Sequence, residues 1–158
     1  MSVVFLVGSN TEEVLAEELF DGGSFTIAVP EGFIVEPALI HPTDPGVFES
    51  VHFHSPDGSM TFYVFAPKTG GAPADIVLKP DQEVMVSEMG EVVDGTSHTW
   101  WTIQDREKTY FRSYHSRSNL VGNDVLIFGV TYPDGKVLGA HKEQYIEFKK
   151  SFRRKADS

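Results

Sequence analysis

The sequence of 158 residues contains no cysteine, which excludes disulfides, a thiolate nucleophile and cysteine-ligated zinc. It also lacks a long hydrophobic run, because the apolar segment 3–7 is short and no basic residues precede it. Such a segment is too short for a signal peptide or a membrane span. We therefore expect a cytoplasmic protein without membrane insertion, although removal of a leader sequence would leave the same pattern.

Positive charge is scarce, since 13 Lys and Arg stand against 23 Asp and Glu and the net charge is −10. Nucleic acids and anionic membranes are bound through clusters of Lys and Arg, so neither is a predicted partner. A protein partner is predicted instead. The one dense basic group, at 149–150 and 153–155, is interpreted as cations that favour the C-terminal end of a helix, and a binding site there is the alternative.

Familiar catalytic motifs are missing as well. The sequence has no G-x-S-x-G elbow, P-loop, dinucleotide fingerprint, H-E-x-x-H pair or EF-hand loop. Its length and its 41% hydrophobic content are those of an ordinary globular domain. We predict a single domain over 1–158 that is not an enzyme, has no catalytic residues and needs no cofactor.

The patterns that are present predict an α+β fold. Capping residues followed by acids, with a Gly-Gly stop, predict an N-terminal helix over about 10–20. Alternating apolar residues predict a sheet over about 24–132, with a hairpin turn at 55–58 and a long surface loop at 67–82. An apolar stripe predicts a C-terminal helix over about 136–152. The expected architecture is a mainly antiparallel sheet sandwiched between the N- and C-terminal helices.

Several of these segments together resemble the PsbP-like superfamily. They are FTIAVPEGF from Phe25, SPDGSMTFYVF from Ser55, YFRSY from Tyr110 and DVLIFGVTYP from Asp124. That superfamily includes extrinsic photosystem II proteins, eukaryotic Ran-release factors and bacterial DcrB-type lipoproteins. The resemblance covers about 24–153 and implies an α/β/α sandwich that serves as a non-enzymatic binding or assembly module. It implies neither photosystem nor Ran binding, because no specific functional position can be matched.

One candidate binding surface is a dense aromatic group that includes an arginine. Its members lie on two adjacent predicted strands: Trp100, Trp101, Tyr110, Arg112 and Tyr114. Strand alternation places Trp100 and Trp101 on opposite faces, whereas Tyr110, Arg112 and Tyr114 share one face. Aromatic residues and arginine are enriched at interface hot spots, which favours a partner site. The alternative is cross-strand packing beneath a helix, with Arg112 paired to an acid.

A candidate metal site rests on His52 and His54, which lie two positions apart on a predicted strand and so share a face. The spacing resembles half of a cupin metal motif, but Gly58 and Ser59 stand where a glutamate is expected. A third ligand such as His98, His115 or Asp57 could complete the site. We expect His52 and His54 to be two half-exposed histidines on a strand without a metal. A metal-binding protein or metal-dependent enzyme that uses them is one alternative. Another is a structural homo-oligomer subunit that pairs through an apolar strand edge.

Overall fold

The computed structural model of the chain describes residues 5–7, 13–15 and 18–156. Its strands, numbered along the chain, are β1 (Phe5–Val7), β2 (Glu13–Leu15), β3 (Leu19–Asp21), β4 (Phe25–Ala28), β5 (Ile34–Pro37), β6 (Ile40–His41), β7 (Asp44–Phe48), β8 (Ser50–His54), β9 (Thr61–Phe65), β10 (Glu83–Val93), β11 (Thr96–Asp105), β12 (Phe111–Asn119), β13 (Val125–Tyr132) and β14 (Arg153–Arg154). Helices α1 (Gly135–Ala140) and α2 (Lys142–Lys150) lie between β13 and β14, and a short 3-10 helix spans Ala74–Ile76.

The main sheet of the described residues is antiparallel throughout and runs in the order β10-β11-β12-β13-β9-β8-β5. Residues paired directly across neighbouring strands point to the same side of the sheet. One side, called the loop face, carries the row Trp101, Tyr114, Gly129, Tyr63 and His52. The other side, called the helix face, carries the row Trp100, His115, Phe128, Val64 and Val51.

Helix α2 covers the middle of the helix face. Phe148 is buried, and its ring lies 5.0 Å from that of Phe53 and 5.1 Å from that of Phe62. Burying a side chain of this size contributes about 1.5–3 kcal/mol. The predicted C-terminal helix is therefore present, although His141 divides it into α1 and α2. No helix within the described residues is long and apolar enough to cross a membrane.

The loop face is covered by segment 67–82, which corrects the expectation that a helix covers each side. Ile76, from the 3-10 turn of this segment, joins a buried cluster with Tyr63, Phe65, Tyr114 and Ile127. The sequence pattern correctly predicts that this side of the sheet is buried, because the central strands are apolar on both faces. A loop provides that cover, since its backbone carbonyls and Asp75 find partners on the sheet.

The predicted N-terminal helix over about 10–20 is wrong where the structure describes it. Glu13–Leu15 forms a strand with Phe5–Val7, and Leu19–Asp21 pairs with Phe25–Ala28. Residues 8–12 and 16–17 lie outside the described part of the chain. The ring of Phe20 lies about 6 Å from three other phenylalanines: 6.2 Å from Phe25, 6.0 Å from Phe48 and 6.1 Å from Phe53. These long-range contacts outweigh a local helical preference of a few tenths of a kcal/mol per residue.

Candidate binding surfaces

Arg112 on β12 and Glu83 at the start of β10 form a buried ion pair on the loop face. Arg112 is 8% exposed and Glu83 is 1% exposed. The guanidinium donates from Nε to Oε2 at 2.8 Å and from Nη2 to Oε1 at 2.6 Å. The hydroxyl of Tyr110 also donates to Oε2, at 2.6 Å. The bonds from Arg112, opposed by burial, lower the pKa of Glu83 to about 2, so the carboxylate is ionised at neutral pH.

The same guanidinium attaches segment 67–82 to the sheet. Nη1 donates to the carbonyl of Ile76 at 2.9 Å and to the hydroxyl of Tyr114 at 3.0 Å. Nη2 donates to the carbonyl of Val77 at 3.2 Å. With the two bonds to Glu83, all five N–H donors of Arg112 are used within the chain. Arg112 therefore positions β10 and the loop and has no donor left for a partner.

Asp75 provides a second attachment for the loop. Its carboxylate accepts from the Ser50 hydroxyl and the Tyr63 hydroxyl, each at 2.7 Å, and lies 3.4 Å from Nε2 of His52. Burial alone would raise the pKa of Asp75, but hydrogen bonds from His52, Ser50 and Tyr63 outweigh it and lower the pKa. Burial, together with the charge of Asp75, raises the pKa of Tyr63. His52 thus helps to hold an ionised carboxylate on the loop.

The two histidines proposed as metal ligands have different partners. The rings of His52 and His54 are nearly parallel, with centroids 6.2 Å apart. His54 has Nδ1 3.0 Å from the Thr61 hydroxyl and Nε2 3.3 Å from the Glu36 carboxylate. Each histidine therefore already lies beside one carboxylate of the chain.

The three residues proposed to complete a metal site lie elsewhere. His98 and His115 are on the helix face, where Nδ1 of His98 lies 2.9 Å from Nε2 of His115. Asp57 caps the 55–58 turn, and hydrogen bonds from Ser59 and Ser55 lower its pKa to about 2. In the residues that the structure describes, no group of three or more His, Asp or Glu side chains is arranged to hold a metal ion.

The predicted aromatic surface is divided between the two faces of the sheet. Trp101 stacks on Tyr114 on the loop face, with centroids 5.2 Å apart, whereas Trp100 stacks on His115 on the helix face at 4.7 Å. Both indoles are half-buried, as is Tyr110, and Tyr114 is buried. These side chains thus lie on the faces that strand alternation predicts. Arg112 and Tyr114, however, are buried beneath the loop.

Strand β10 forms an outer edge of the sheet, a feature that the sequence reasoning did not assign to a particular strand. No strand of the described residues pairs with its outer side. Its exposed apolar side chains are 41–62% accessible: Met85, Val86, Met89, Val92 and Val93. A bulge between Met85 and Ser87 and the charges of Glu88 and Glu91 interrupt the edge, which otherwise carries neither lysine nor proline. A long apolar edge of this kind is a template for pairing with another strand.

The fold formed by this sheet and its C-terminal helical layer is PsbP-like, as comparison with solved structures shows. The solution structure of cyanobacterial PsbP (CyanoP) from Synechocystis sp. PCC 6803 matches with 12% identity and a TM-score of 0.50, over 87% of this chain and 92% of that one. The crystal structure of the Ran-binding protein Mog1p from Saccharomyces cerevisiae matches with 11% identity and a TM-score of 0.44, over 88% and 96%. A crystal structure from Bacteroides thetaiotaomicron VPI-5482 matches with 17% identity and a TM-score of 0.42, over 89% and 48%.

No protein-family model and no curated protein sequence matches the chain. The resemblance read from the sequence is therefore confirmed as a resemblance of fold. At this level of identity, the fold does not specify a function, which has to be argued from the surfaces of this chain.

Proposed function

We propose that the protein is a non-enzymatic binding or assembly module, and that its protein partner adds a strand to the outer edge of β10. The observation that carries the proposal is the eleven-residue edge strand with five exposed apolar side chains. In this mode of recognition, main-chain hydrogen bonds supply affinity and alternate side chains supply specificity.

The opposite edge of the sheet is a poorer site for such pairing. Strand β5 has four residues and ends at Pro37, which has no N–H to donate to a partner. An isolated pairing of that length also buries little apolar surface. The proposal therefore places the contact at β10.

The tryptophans of the predicted surface lie next to this edge. On β11, Trp100 is paired with Met89 and Trp101 with Glu88, so each face of the edge strand has one half-buried indole behind it. A strand added to β10 would bring its own side chains towards both indoles, and aromatic residues at such positions are typical interface anchors. Tyr110 and Arg112 would support the contact indirectly, through their bonds to Glu83 at the start of β10.

The experiment compares capture of protein partners by the wild-type chain and by the double variant Met89→Lys with Val92→Lys. A lysine on an exposed edge discourages strand pairing without removing core packing. The matched control is the double variant Leu120→Lys with Val121→Lys, because both are exposed apolar residues at the β12–β13 turn and the same two charges are added. A partner retained by the wild type and the control, but lost by the edge variant, supports the proposal. Equal retention by all three proteins contradicts it.

Light scattering on the same three proteins identifies whether the partner is a second copy of the chain. A wild-type dimer that dissociates in the edge variant supports the homo-oligomer alternative and keeps the edge as the contact. A dimer that persists in the edge variant places the self-association elsewhere.

A further inference from the structure

A groove lies on the helix face, where the helical layer ends before the sheet does. Phe148 of α2 packs over β8, β9 and β13, and β12 lies beside this helix. Two cavities lie there: one of about 510 Å³ over β11, β12 and β13, and one of about 440 Å³ between α2 and β12. Both are lined by Arg117 and Phe152. The groove is therefore elongated, and its two halves share one arginine and one aromatic ring.

The groove carries more positive than negative charge, because Asp124, which lines the larger cavity, is paired with Arg154 at 3.1 Å. Arg117 on β12, Lys149 on α2 and Arg153 on β14 all line it. Among the described residues, no carboxylate lies within ion-pair distance of these three side chains. Nη1 of Arg153 donates to the main-chain carbonyls of Lys150 and Phe152, which leaves its charge uncompensated. Acids outnumber bases 23 to 13 in this chain, so a group of unmatched cations stands out.

The helix-end interpretation of the basic C-terminal residues accounts for only part of this arrangement. Cations at the end of α2 are favoured by the helix dipole, which explains Lys149 and Arg153. Arg117 comes from the sheet, and the dipole of α2 does not account for its place in the same groove. Neither does it explain Arg154, which also lines the groove but is neutralised by Asp124 at 3.1 Å.

Histidines and aromatic rings form the floor beside these cations. His98 and His115 are hydrogen-bonded to each other, and both stack on Trp100, with centroids 5.5 and 4.7 Å away. Burial, followed by the positive charges of His98, Lys149 and Arg117, lowers the pKa of His115 to about 4. The neutral imidazole of His115 is favoured first by burial and then by its positive surroundings, and the second cause agrees with the excess of cations in the groove.

We propose that this groove binds a short, extended acidic peptide segment of a protein partner. Apolar side chains between the cations, from Phe128, Ile146 and Phe152, suit a peptide with apolar residues between its carboxylates. A long polyanion is disfavoured by the net charge of −10, whereas a short segment experiences mainly charges within a Debye length of about 8 Å. The groove lies on the helix face and does not use the outer side of β10, so the inference goes beyond the proposed edge contact.

The test measures fluorescence anisotropy of a short labelled peptide in which Glu and Asp alternate with Phe and Leu. Its counterpart, with every acid replaced by Gln or Asn, is the uncharged probe. We expect Arg117→Gln and Lys149→Gln each to weaken binding of the acidic peptide about tenfold, the effect of losing one charge-assisted contact. Lys142→Gln is the matched control, because it removes the same charge from the exposed start of α2, away from the groove.

Several outcomes would overturn the proposal. They are equal binding of the acidic and uncharged peptides, equal weakening by Lys142→Gln and Arg117→Gln, and tighter binding of tripolyphosphate or single-stranded DNA than of the peptide. A second measurement uses the wild-type protein and so does not depend on the folding of a variant. NMR titration of His115 should give a higher pKa when the acidic peptide is bound. An unchanged pKa also contradicts the proposal. The single edge variant Val92→Lys, whose side chain lies on the loop face, should bind the peptide as the wild type does, which separates failure of this inference from failure of the edge contact.

Discussion

Arg112 and Glu83, 29 positions apart in the sequence, form a two-pronged ion pair that is closed to solvent. The pair joins the start of β10 to β12, and the remaining donors of Arg112 hold the loop through Ile76 and Val77. Three segments that are distant in sequence therefore depend on one guanidinium. The ion pair and the loop together therefore hold the start of β10 in place.

Replacing the arginine should be costly. Arg112→Met keeps much of the side-chain volume but leaves the carboxylate of Glu83 buried without a cation, for which we expect a loss of about 3–5 kcal/mol in the free energy of unfolding. Urea unfolding measures it. Arg106→Met is the control, since Arg106 is exposed and its side chain donates only to the carbonyl of Pro80. A loss below about 1 kcal/mol for Arg112→Met would show that Glu83 is neutralised in another way.

The pH dependence of stability should carry the signature of the same pair. The pKa of Glu83 is about 2 in the folded chain and near 4.5 without its partners. Because the folded pKa is the lower one, its contribution is complete above 4.5 and is lost as the pH falls towards 2. Its size is on the order of 3 kcal/mol, at about 1.4 kcal/mol per pKa unit. Urea unfolding from neutral pH to about pH 3 should show a shallower decline for Glu83→Gln than for the wild type; parallel curves would contradict this.

Loosening the second attachment should affect the loop more than the whole fold. Asp75→Asn removes the ionised acceptor of the Ser50 and Tyr63 hydroxyls, with an expected loss of about 1–2 kcal/mol. Hydrogen exchange at the amides of segment 67–82 should accelerate more than exchange in β13. Asp81→Asn, a change at an exposed position of the same segment, is the control. Unchanged exchange at 67–82 would contradict a role of Asp75 in holding the loop.

A single methyl group should disturb the loop face. Gly129 lies under Tyr114, and a Cβ at this position would overlap the Tyr114 ring. That ring stacks on Trp101, and its hydroxyl accepts from Arg112, so we expect Gly129→Ala to cost about 1–3 kcal/mol and to change tryptophan fluorescence. Gly90→Ala on β10 is the control, because its Cβ would come no nearer than 3.5 Å to a neighbouring atom. Equal stability of the two variants would show that Tyr114 moves freely.

The metal alternative makes a different prediction for His52. Because His52 lies beside Asp75 and His54 beside Glu36, we expect added zinc or nickel to shift the thermal unfolding midpoint equally in the wild type and in His52→Ala. Elemental analysis of the purified protein accompanies the measurement. A metal-dependent stabilisation that is lost in His52→Ala would instead establish a site at these histidines.

Local patterns in the sequence are sufficient to predict which face of the sheet each strand residue occupies. Alternation places Tyr110, Arg112 and Tyr114 on one side and separates Trp100 from Trp101, and the structure agrees because side-chain direction in a strand has a period of two. The turn at 55–58 was likewise predictable from its residue types. In the structure, Asp57 accepts hydrogen bonds from Ser55 and Ser59 across the same turn.

Contacts between residues that are distant in the sequence cannot be predicted from local patterns. The sequence predicts an acidic partner for Arg112 as one alternative, but it contains 23 acids, and Glu83 comes beside Arg112 only when β10 joins the sheet. The apolar spacing around Leu19 and Phe20 also fits a helix, and it becomes a strand because Phe20 packs against phenylalanines far along the chain. The basic groove has the same origin, since Arg117 and Lys149 meet only in the folded protein.

The pairing of β14 with β4 determines when the small sheet of β3, β4 and β14 can form during synthesis. Arg153 and Arg154 pair with Thr26 and Phe25, and the hydroxyl of Ser151 accepts from the amide of Ala28 across 123 positions. A ribosome has therefore made nearly the whole described chain before β4 acquires its second neighbour. Until that moment, one edge of β4 has no strand beside it, so the small sheet of β3, β4 and β14 is completed only after α2 has been made.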